Sequence, residues 1–313
     1  MTAGSQQASE KGGGRLRRVF SEEFKTPERR TAYYMVVPTL LVILAIAFYP
    51  VAVSIYYSFR LGVPGGDYSA WAGLRNYAIL FQDSAFQSAL WNTFIFVAIS
   101  VLIEFVIGLA VALGINRAFR GRGLVRASIL VPWAFPLVIS AVMWRLMYLP
   151  QGGVLDYLLV NLGPLTQPIL TDSTLLLAGA ILSDVWKTTP FMALLLLAGL
   201  QTIPGDVYEA AKVDGANRIQ SFFRITLPML KGSILVALLF RTLDAWRIFD
   251  LFWAMSDRQL ESLSTYTYKT VRLSQVLFNV GNAAAVFTFV TAFVIAMIFI
   301  KGFGMQTSPG GGK

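Results

Sequence analysis

Charged side chains that could hydrogen-bond a polar solute lie inside two long apolar stretches of this sequence. They are Asp184 and Lys187 in the first stretch and, alternating in sign at three-residue steps, Arg241, Asp244, Arg247 and Asp250 in the second. Charged groups within a membrane are costly, and they usually face a cavity, a solute or a charged partner. Two interpretations therefore compete: a transport pathway, and an ion-pair ladder that holds helices together.

The spacing of these charges allows pairs but no single polar stripe. Asp184 and Lys187 lie three residues apart, so they can pair on one helix face and lower their desolvation cost. In the second stretch each three-residue step turns about 300° around the helix, so some of its charges should meet partners elsewhere. We predict a pathway role for Asp184, Lys187, Arg241 and Asp244. Both interpretations stay open for Arg247 and Asp250.

The composition places these charges in a membrane protein. Of the 313 residues, 56% are hydrophobic and 14% are charged, whereas soluble domains carry about a quarter charged residues. Cysteine and histidine are both absent, which excludes disulfides, a thiol nucleophile, thiolate metal ligands and an imidazole base. The sequence therefore predicts an all-α polytopic membrane protein with no catalytic residues and no metal site.

Six apolar runs are long enough to cross a membrane. They comprise residues 33–59, 89–115, 124–149, 174–200, 232–255 and 283–303. The first run is too long for a signal peptide and lacks a cleavage site, so we expect it to remain as an anchor. Glu104 and Arg145 are further charges within the runs, and Pro190 predicts a kink or an unwound turn in the fourth.

The distribution of lysine and arginine predicts the orientation of these runs. Of the 26 basic residues, seventeen lie in the termini and in the second and fourth connections, counting Arg126 and Lys301 at the adjoining ends of the runs, and five lie in the other connections. Cytoplasmic loops carry such an excess, so both termini should face the cytoplasm. The predicted parts are a cytoplasmic N-terminal segment (1–32), a transmembrane domain (33–303) with a cytoplasmic loop at 201–231, and a cytoplasmic tail (304–313).

The loop at 201–231 contains a short helical segment with turn signals. Asp206 and Glu209 have the spacing of a helix N-cap and its reciprocal acceptor. Ala210 and Ala211 follow with small side chains that permit close approach. This part of the loop therefore predicts a helix with an alanine-rich face and an outward carboxylate.

The helix should stop at Asp214-Gly215, because glycine takes left-handed backbone angles at little cost. A second helical stretch, about residues 217–226, should end before Pro228. The prediction is a helix-turn-helix beside the cytoplasmic membrane surface.

This segment resembles the EAA signature of permease subunits in ATP-binding-cassette importers. The residues that match are Glu209-Ala210-Ala211, Gly215, Ile225 and Leu227-Pro228. In that family the segment is the coupling helix, between transmembrane helices 4 and 5, which docks into a cytoplasmic ATPase. The resemblance implies ATPase-coupling roles for Glu209, Ala210, Ala211, Asp214 and Gly215.

Three other segments resemble sugar importers of the maltose- and trehalose-permease kind. Residues 73–94 carry the pattern that leads into the second span, while residues 184–191 and 239–250 match the fourth- and fifth-span segments that line a sugar site. The resemblance extends a pathway role to Asp184, Trp186, Lys187, Thr188, Phe191, Arg241, Asp244, Ala245 and Ile248. Residues 254–266 depart from the glycine-rich turn that normally ends the fifth span.

The resemblance also implies partners. These are a second permease subunit, two ATPase subunits and a periplasmic or lipid-anchored sugar-binding protein, in the inner or cytoplasmic membrane of a bacterium or archaeon. No G-x-x-x-x-G-K-[ST] phosphate loop occurs in the sequence, so ATP and Mg²⁺ should bind the partner ATPase, and no cofactor or nucleic acid is expected on this chain. The expected solute is a di- or oligosaccharide of the trehalose or maltose kind.

A second function remains open at this point, an ion-coupled secondary transporter. Intramembrane carboxylates could relay protons or hold sodium in such a carrier. A carrier of this kind has no need of the cytoplasmic helix-turn-helix.

Overall fold

A computed structural model describes residues 27–62, 70–117, 119–274 and 276–302, so the predicted N-terminal segment and tail lie mainly outside it. The helices are α1 Pro27–Ile43, α2 Tyr49–Ser58, α3 Arg75–Gln82, α4 Ser84–Asn116, α5 Arg122–Ala134, α6 Leu137–Met147, α7 Val154–Asp156, α8 Ser173–Leu200, α9 Gly205–Val213, α10 Arg218–Ser221, α11 Leu227–Trp246, α12 Asp250–Met255, α13 Leu263–Tyr268 and α14 Phe278–Gly302. Segments of π-helix join α1 to α2 (Leu44–Phe48) and α10 to α11 (Phe222–Thr226) and extend α7 (Tyr157–Asn161) and α13 (Lys269–Leu273); Ile169–Thr171 is a 3₁₀ turn.

Five helical runs within these residues are long and apolar enough to span a membrane. They are Thr31–Ser58, Ser84–Asn116, Ser173–Leu200, Arg218–Trp246 and Phe278–Gly302. α5 and α6 together supply a sixth. Outside the helices the described residues contain one isolated antiparallel bridge, between Arg60 and Trp71. The predicted all-α class is confirmed, with five apolar runs and a sixth if α5 and α6 form one span.

The third apolar run is broken, which the sequence analysis did not predict. α5 and α6 meet at a bend of 86°. Phe135 precedes Pro136 and takes an extended ψ of 140°, because the proline ring disfavours the helical region for the residue before it. Pro136 itself lacks an N–H for a helical bond. At Pro190 the predicted unwound turn does not occur, since α8 is helical throughout.

The fifth run also differs from the prediction. α10, the π segment and α11 form one helical run from Arg218 to Trp246, so the second helix of the loop does not end before Pro228. Pro228 lies just after the π segment inside this continuous run, where its missing N–H removes one helical hydrogen bond. The helix ends at Trp246, nine residues earlier than predicted, and α12 follows as a separate short helix.

The chain forms two compact units, one that reaches Tyr56 and one that begins at Tyr57. The first contains α1 and most of α2. The second contains two buried apolar clusters: the larger is built from α4, α6, α8 and α11 to α14, and the smaller surrounds Met192 and Leu196 of α8. α8 contributes to both clusters and has buried residues along most of its length, so it is the central helix of the second unit.

A glycine permits the contact between α4 and α8. A Cβ placed on Gly108 would lie 2.8 Å from Met192 Cγ and 3.2 Å from the Ala193 backbone nitrogen. Gly114, two turns further along α4, has open space around the same position. The close approach of the two helices therefore depends on Gly108.

We predict that Gly108→Ala lowers the thermal stability of the purified protein, because Met192 or the α8 backbone must move. Gly114→Ala is the matched control and should raise stability slightly, since alanine favours a helix over glycine by about 1 kcal/mol. Melting temperatures in detergent measure both changes. Equal shifts for the two variants would contradict the packing argument.

Candidate solute pathway and coupling site

The guanidinium of Arg241 is the centre of a buried ion network that joins three helices. Its Nε and Nη2 donate to the two carboxylate oxygens of Glu104, at 2.5 and 3.0 Å. Nη2 also donates to Asp184 Oδ2, and Nη1 donates to Asp244 Oδ2 at 3.1 Å. Thr188 Oγ1 donates to Glu104 Oε1 at 2.6 Å. The network thereby connects α4, α8 and α11.

The members of this network differ in their access to solvent. The side chains of Glu104, Asp184 and Arg241 are 0–2% exposed, whereas that of Asp244 is 70% exposed. A buried charge is tolerated when it is paired and its hydrogen-bonding positions are filled. The buried ion pairs therefore hold the three helices together, and Asp244 is the member of the network that is exposed to solvent.

The predicted pair of Asp184 with Lys187 does not form. Asp184 pairs with Arg241 instead, and Lys187 Nζ donates to the backbone oxygens of Phe135 at 2.8 Å and Trp133 at 3.3 Å. Both carbonyls belong to the break between α5 and α6, where the helical bonding pattern is interrupted. Lys187 thus supplies the hydrogen bonds that the break removes.

The nine residues predicted to line a pathway fall into two groups. Asp184, Lys187, Thr188, Arg241, Ala245 and Ile248 are buried within the subunit, the last two in the larger apolar cluster. Trp186 and Phe191 are partly exposed and Asp244 is exposed. Phe191 stacks on Trp133 with ring centres 5.8 Å apart, and Trp186 packs edge-on against Trp144. The pathway role of all nine stays a prediction.

The two outer charges of the fifth run lie at the end of α11. Arg247 is exposed and its Nε donates to the Leu243 carbonyl at 3.3 Å, while Asp250 begins α12. Neither forms an ion pair within the described part of the chain. These two charges therefore add nothing to the Arg241 network within this subunit, because the helix ends at Trp246, before both of them, and both interpretations stay open for them.

Residues of the segment at 73–94 form hydrogen bonds with α13. Asp83 caps α4 through Ala85 N, and its other oxygen accepts a 2.6 Å hydrogen bond from Tyr266 Oη. Burial and this bond raise the pKa of the Tyr266 phenol, so it remains a donor at physiological pH. Thr93 Oγ1 accepts from Leu263 N at 3.0 Å. The motif thus anchors α13.

Residues 254–266 lack the glycine-rich turn of the similar sugar importers, yet two of them have backbone angles that glycine usually adopts. Asp257 and Arg258 have φ values of 50° and 69°, which non-glycine residues rarely adopt. Asp257 forms a 3.1 Å ion pair with Arg145, and the Arg258 guanidinium lies 4.8 Å from the Trp253 ring centre. These contacts hold the strained turn, and they identify a partner for Arg145, whose role the sequence did not predict.

The helix of the EAA-like segment is α9, and its end is the predicted turn. Gly215 has φ 80°, its N–H donates to Lys212 O, and the next N–H, of Ala216, donates to Ala211 O. This pair of bonds is the Schellman motif. Glu209 and Ala210 are exposed and Ala211 is buried, so α9 presents Glu209 outward.

Two details of this segment differ from prediction. Pro204 occupies the N-cap position of α9 and Asp206 lies in its first turn, without a side-chain cap bond. The capping box forms one helix later: Asn217 and Gln220 exchange 2.8 Å hydrogen bonds at the start of α10. Tyr208 Oη and Thr226 Oγ1, 3.0 Å apart, connect α9 to the fifth run.

The sequence analysis assigned no role to Glu104 or to Asn76. Glu104 is the one acidic residue of its apolar run, and a lone charge in such a run indicates a partner on another helix. The partners of Asn76 carried no sequence signal, because its Nδ2 donates to the backbone oxygens of Ser58 and Arg60, at 2.8 and 2.9 Å.

Known proteins resemble this chain over nearly its whole length. Residues 104–307 match the family described as binding-protein-dependent transport system inner membrane component. The trehalose/maltose transport system permease protein MalF of Thermococcus litoralis is 37% identical over 287 residues, which cover 90% of this chain and 96% of the relative. The trehalose transport system permease protein SugA of Mycobacterium tuberculosis is 40% identical over 292 residues, or 91% and 92% of the two chains.

A solved structure shares the fold. A chain of a bacterial ABC transporter involved in the import of the acidic polysaccharide alginate superposes with a TM-score of 0.76 and 26% identity, covering 94% of this chain and all of the other. A second structure of an alginate transporter, in complex with an alginate pentasaccharide-bound periplasmic protein, superposes with a TM-score of 0.72 and 26% identity over 87% and 93% of the two chains.

We predict that Arg241→Met destabilises the protein by about 3–5 kcal/mol, because it leaves two buried carboxylates without a cation. Arg247→Met, at an exposed position of the same run, is the control and should have little effect. Thermal unfolding and the yield of monodisperse protein measure the difference. Adding Glu104→Gln and Asp184→Asn to Arg241→Met should restore part of the lost stability. If the Arg241→Met protein is as stable as the control, the ion network does not hold the helices together.

We predict that Lys187→Met loosens the break between α5 and α6, since two carbonyls lose their donor. Hydrogen bonds to charged groups contribute about 1.5–3 kcal/mol, so amide exchange of the peptides around Pro136 should accelerate roughly tenfold or more. Hydrogen-exchange mass spectrometry measures this. Lys187→Arg keeps the donors and should exchange like the parent; identical exchange in Lys187→Met would show that the break holds without the ammonium group.

Proposed function

We propose that this chain, which belongs to the family of binding-protein-dependent transport system inner membrane components, is one of two permease subunits of an ATP-driven sugar importer. The proposed solute is a di- or oligosaccharide such as trehalose or maltose. The observation that supports this solute is the similarity, over about nine-tenths of the chain, to permeases named for trehalose and maltose. The proposed location is the cytoplasmic membrane of a prokaryote, with both termini inside.

The coupling role is assigned to α9. Glu209 is exposed on this helix, and the Schellman turn at Gly215 directs the chain into the fifth run. Around the turn Val213, Ile219 and Phe223 are 89%, 70% and 61% exposed, and exposed apolar side chains that cluster in this way are typical of protein interfaces. Because the chain passes from α9 through this turn into the fifth run, an ATPase bound to α9 would move the fifth run directly.

The assembly that this role requires contains a second permease subunit, two ATPase subunits and an external sugar-binding protein. ATP and Mg²⁺ bind the ATPase pair in this proposal. The similar alginate transporter structure in complex with a periplasmic protein supports the external partner. ATP-driven closure brings the two coupling helices together and opens the pathway outward, and hydrolysis returns it inward. The permease contributes by binding the sugar differently in the two states.

The solute pathway is assigned to the surface that carries Asp244, Trp186 and Phe191. Asp244 has a carboxylate that is fixed by Arg241 and still exposed, which suits it to accept hydrogen bonds from sugar hydroxyls. Trp186 and Phe191 are held by aromatic neighbours and offer apolar faces. The buried charges then position Asp244 and do not contact the sugar. The ion-coupled carrier is not favoured, because Glu104 and Asp184 are occupied by Arg241.

We predict that Glu209→Lys separates the permease from its ATPase, because it reverses the outward charge of α9. Asp206→Lys makes the same charge change in the first turn of the same helix and serves as the control. Co-purification of the ATPase and sugar-stimulated ATP hydrolysis by the complex, reconstituted with its binding protein, measure the effect. Full hydrolysis by Glu209→Lys, or no stimulation of the parent by any sugar tested, would refute the proposal.

A further inference from the structure

A cleft of about 560 Å³ lies between α9 and the neighbouring ends of α4 and α8. Three of its walls carry a basic residue: Arg117 follows α4, Lys212 lies on α9, and Arg218 begins α10. All three side chains are exposed. This cleft is separate from the Arg241 network and lies behind the coupling helix.

The cations of this cleft have no acidic partner among the described residues. No aspartate or glutamate lines it, and Arg117, Lys212 and Arg218 take part in none of the ion pairs of the described residues. Three like charges around one cavity repel each other, and an anion between them removes that repulsion. The charge arrangement therefore fits an anionic ligand.

The remaining walls indicate which anion fits. Leu113, Leu200 and Phe222 line the cleft, and Leu113 and Leu200 lie near the ends of apolar runs that reach into the membrane. A free phosphate gains nothing from an apolar wall, whereas a phospholipid places its phosphate among the cations and its first acyl carbons against leucine and phenylalanine. Basic pockets between transmembrane helices at the cytoplasmic surface bind anionic lipid headgroups.

We infer that this cleft binds the headgroup of an anionic phospholipid of the cytoplasmic leaflet. The inference rests on the proposed function only for the orientation that places α9 on the cytoplasmic side. A lipid at this position contacts α9 and the end of α4 together, so it braces the coupling helix against the membrane-spanning bundle.

The test uses the assembled importer in nanodiscs of phosphatidylethanolamine with added phosphatidylglycerol. Native mass spectrometry counts the anionic lipids that stay bound after extraction. Each basic residue near a membrane surface contributes about fivefold to anionic-lipid affinity, so Arg117→Gln, Lys212→Gln and Arg218→Gln should each lower retention about fivefold. The triple variant should lose the lipid.

A matched triple variant, Arg120→Gln, Arg224→Gln and Lys231→Gln, removes the same charge from exposed positions outside the cleft. It should retain the lipid. Equal retention in the two triple variants overturns the inference. So does displacement of the lipid by millimolar inorganic phosphate, which would identify a free-phosphate site, or loss of the ATPase from the cleft variants at unchanged lipid retention, which would identify a protein contact.

Lipid retention requires no transport, so the result is independent of the proposed sugar and of Glu209. In the parent complex, sugar-stimulated ATP hydrolysis should rise when phosphatidylglycerol is added, and the triple cleft variant should lose that dependence. Lost retention with an unchanged lipid dependence of hydrolysis overturns the bracing role of the lipid.

Discussion

A fully desolvated guanidinium is the constraint on which the second unit depends. Arg241 is 1% exposed, and such a group is stable inside an apolar bundle only when carboxylates surround it at hydrogen-bonding distance. Glu104 and Asp184 meet that need from α4 and α8. The register of the three helices is thereby set at one point, because a displacement of one helical turn would leave a buried charge unpaired. Asp244 then reaches the surface already oriented.

The breaks in the third and fifth apolar runs can be understood from the same requirement that buried polar groups be paired. The proline at 136 interrupts the third run, and the ammonium group of Lys187 binds the carbonyls that the interruption exposes. The fifth run ends at Trp246, and α12 begins at Asp250 after three non-helical residues. Non-helical backbone at membrane depth is tolerated where protein groups satisfy it. The breaks and the charges are thus parts of one arrangement, and both lie beside the proposed pathway.

Hydrogen bonds extend from this centre toward both ends of the second unit. At one end the α4 cap residue Asp83 binds Tyr266, and Thr93 binds the start of α13. At the other end α9 is bonded to the fifth run through Tyr208 and Thr226, and the fifth run carries Arg241. α9 is therefore joined, by the chain and by this hydrogen bond, to the helix that contains the buried arginine.

Hydropathy and motif spacing determined the class of the protein, its six apolar runs and the family, because these depend on residue types at fixed intervals along the chain. The glycine turn at Gly215 was also predictable, since it follows from local backbone sterics. The partners of the charges were not. Asp184 lies three residues from Lys187 but binds Arg241, 57 positions away, and a pairing of that kind is chosen only when helices pack. The break before Pro136 and the burial of six predicted pathway residues were likewise decided by tertiary contacts, because they depend on which side of each helix meets a neighbour.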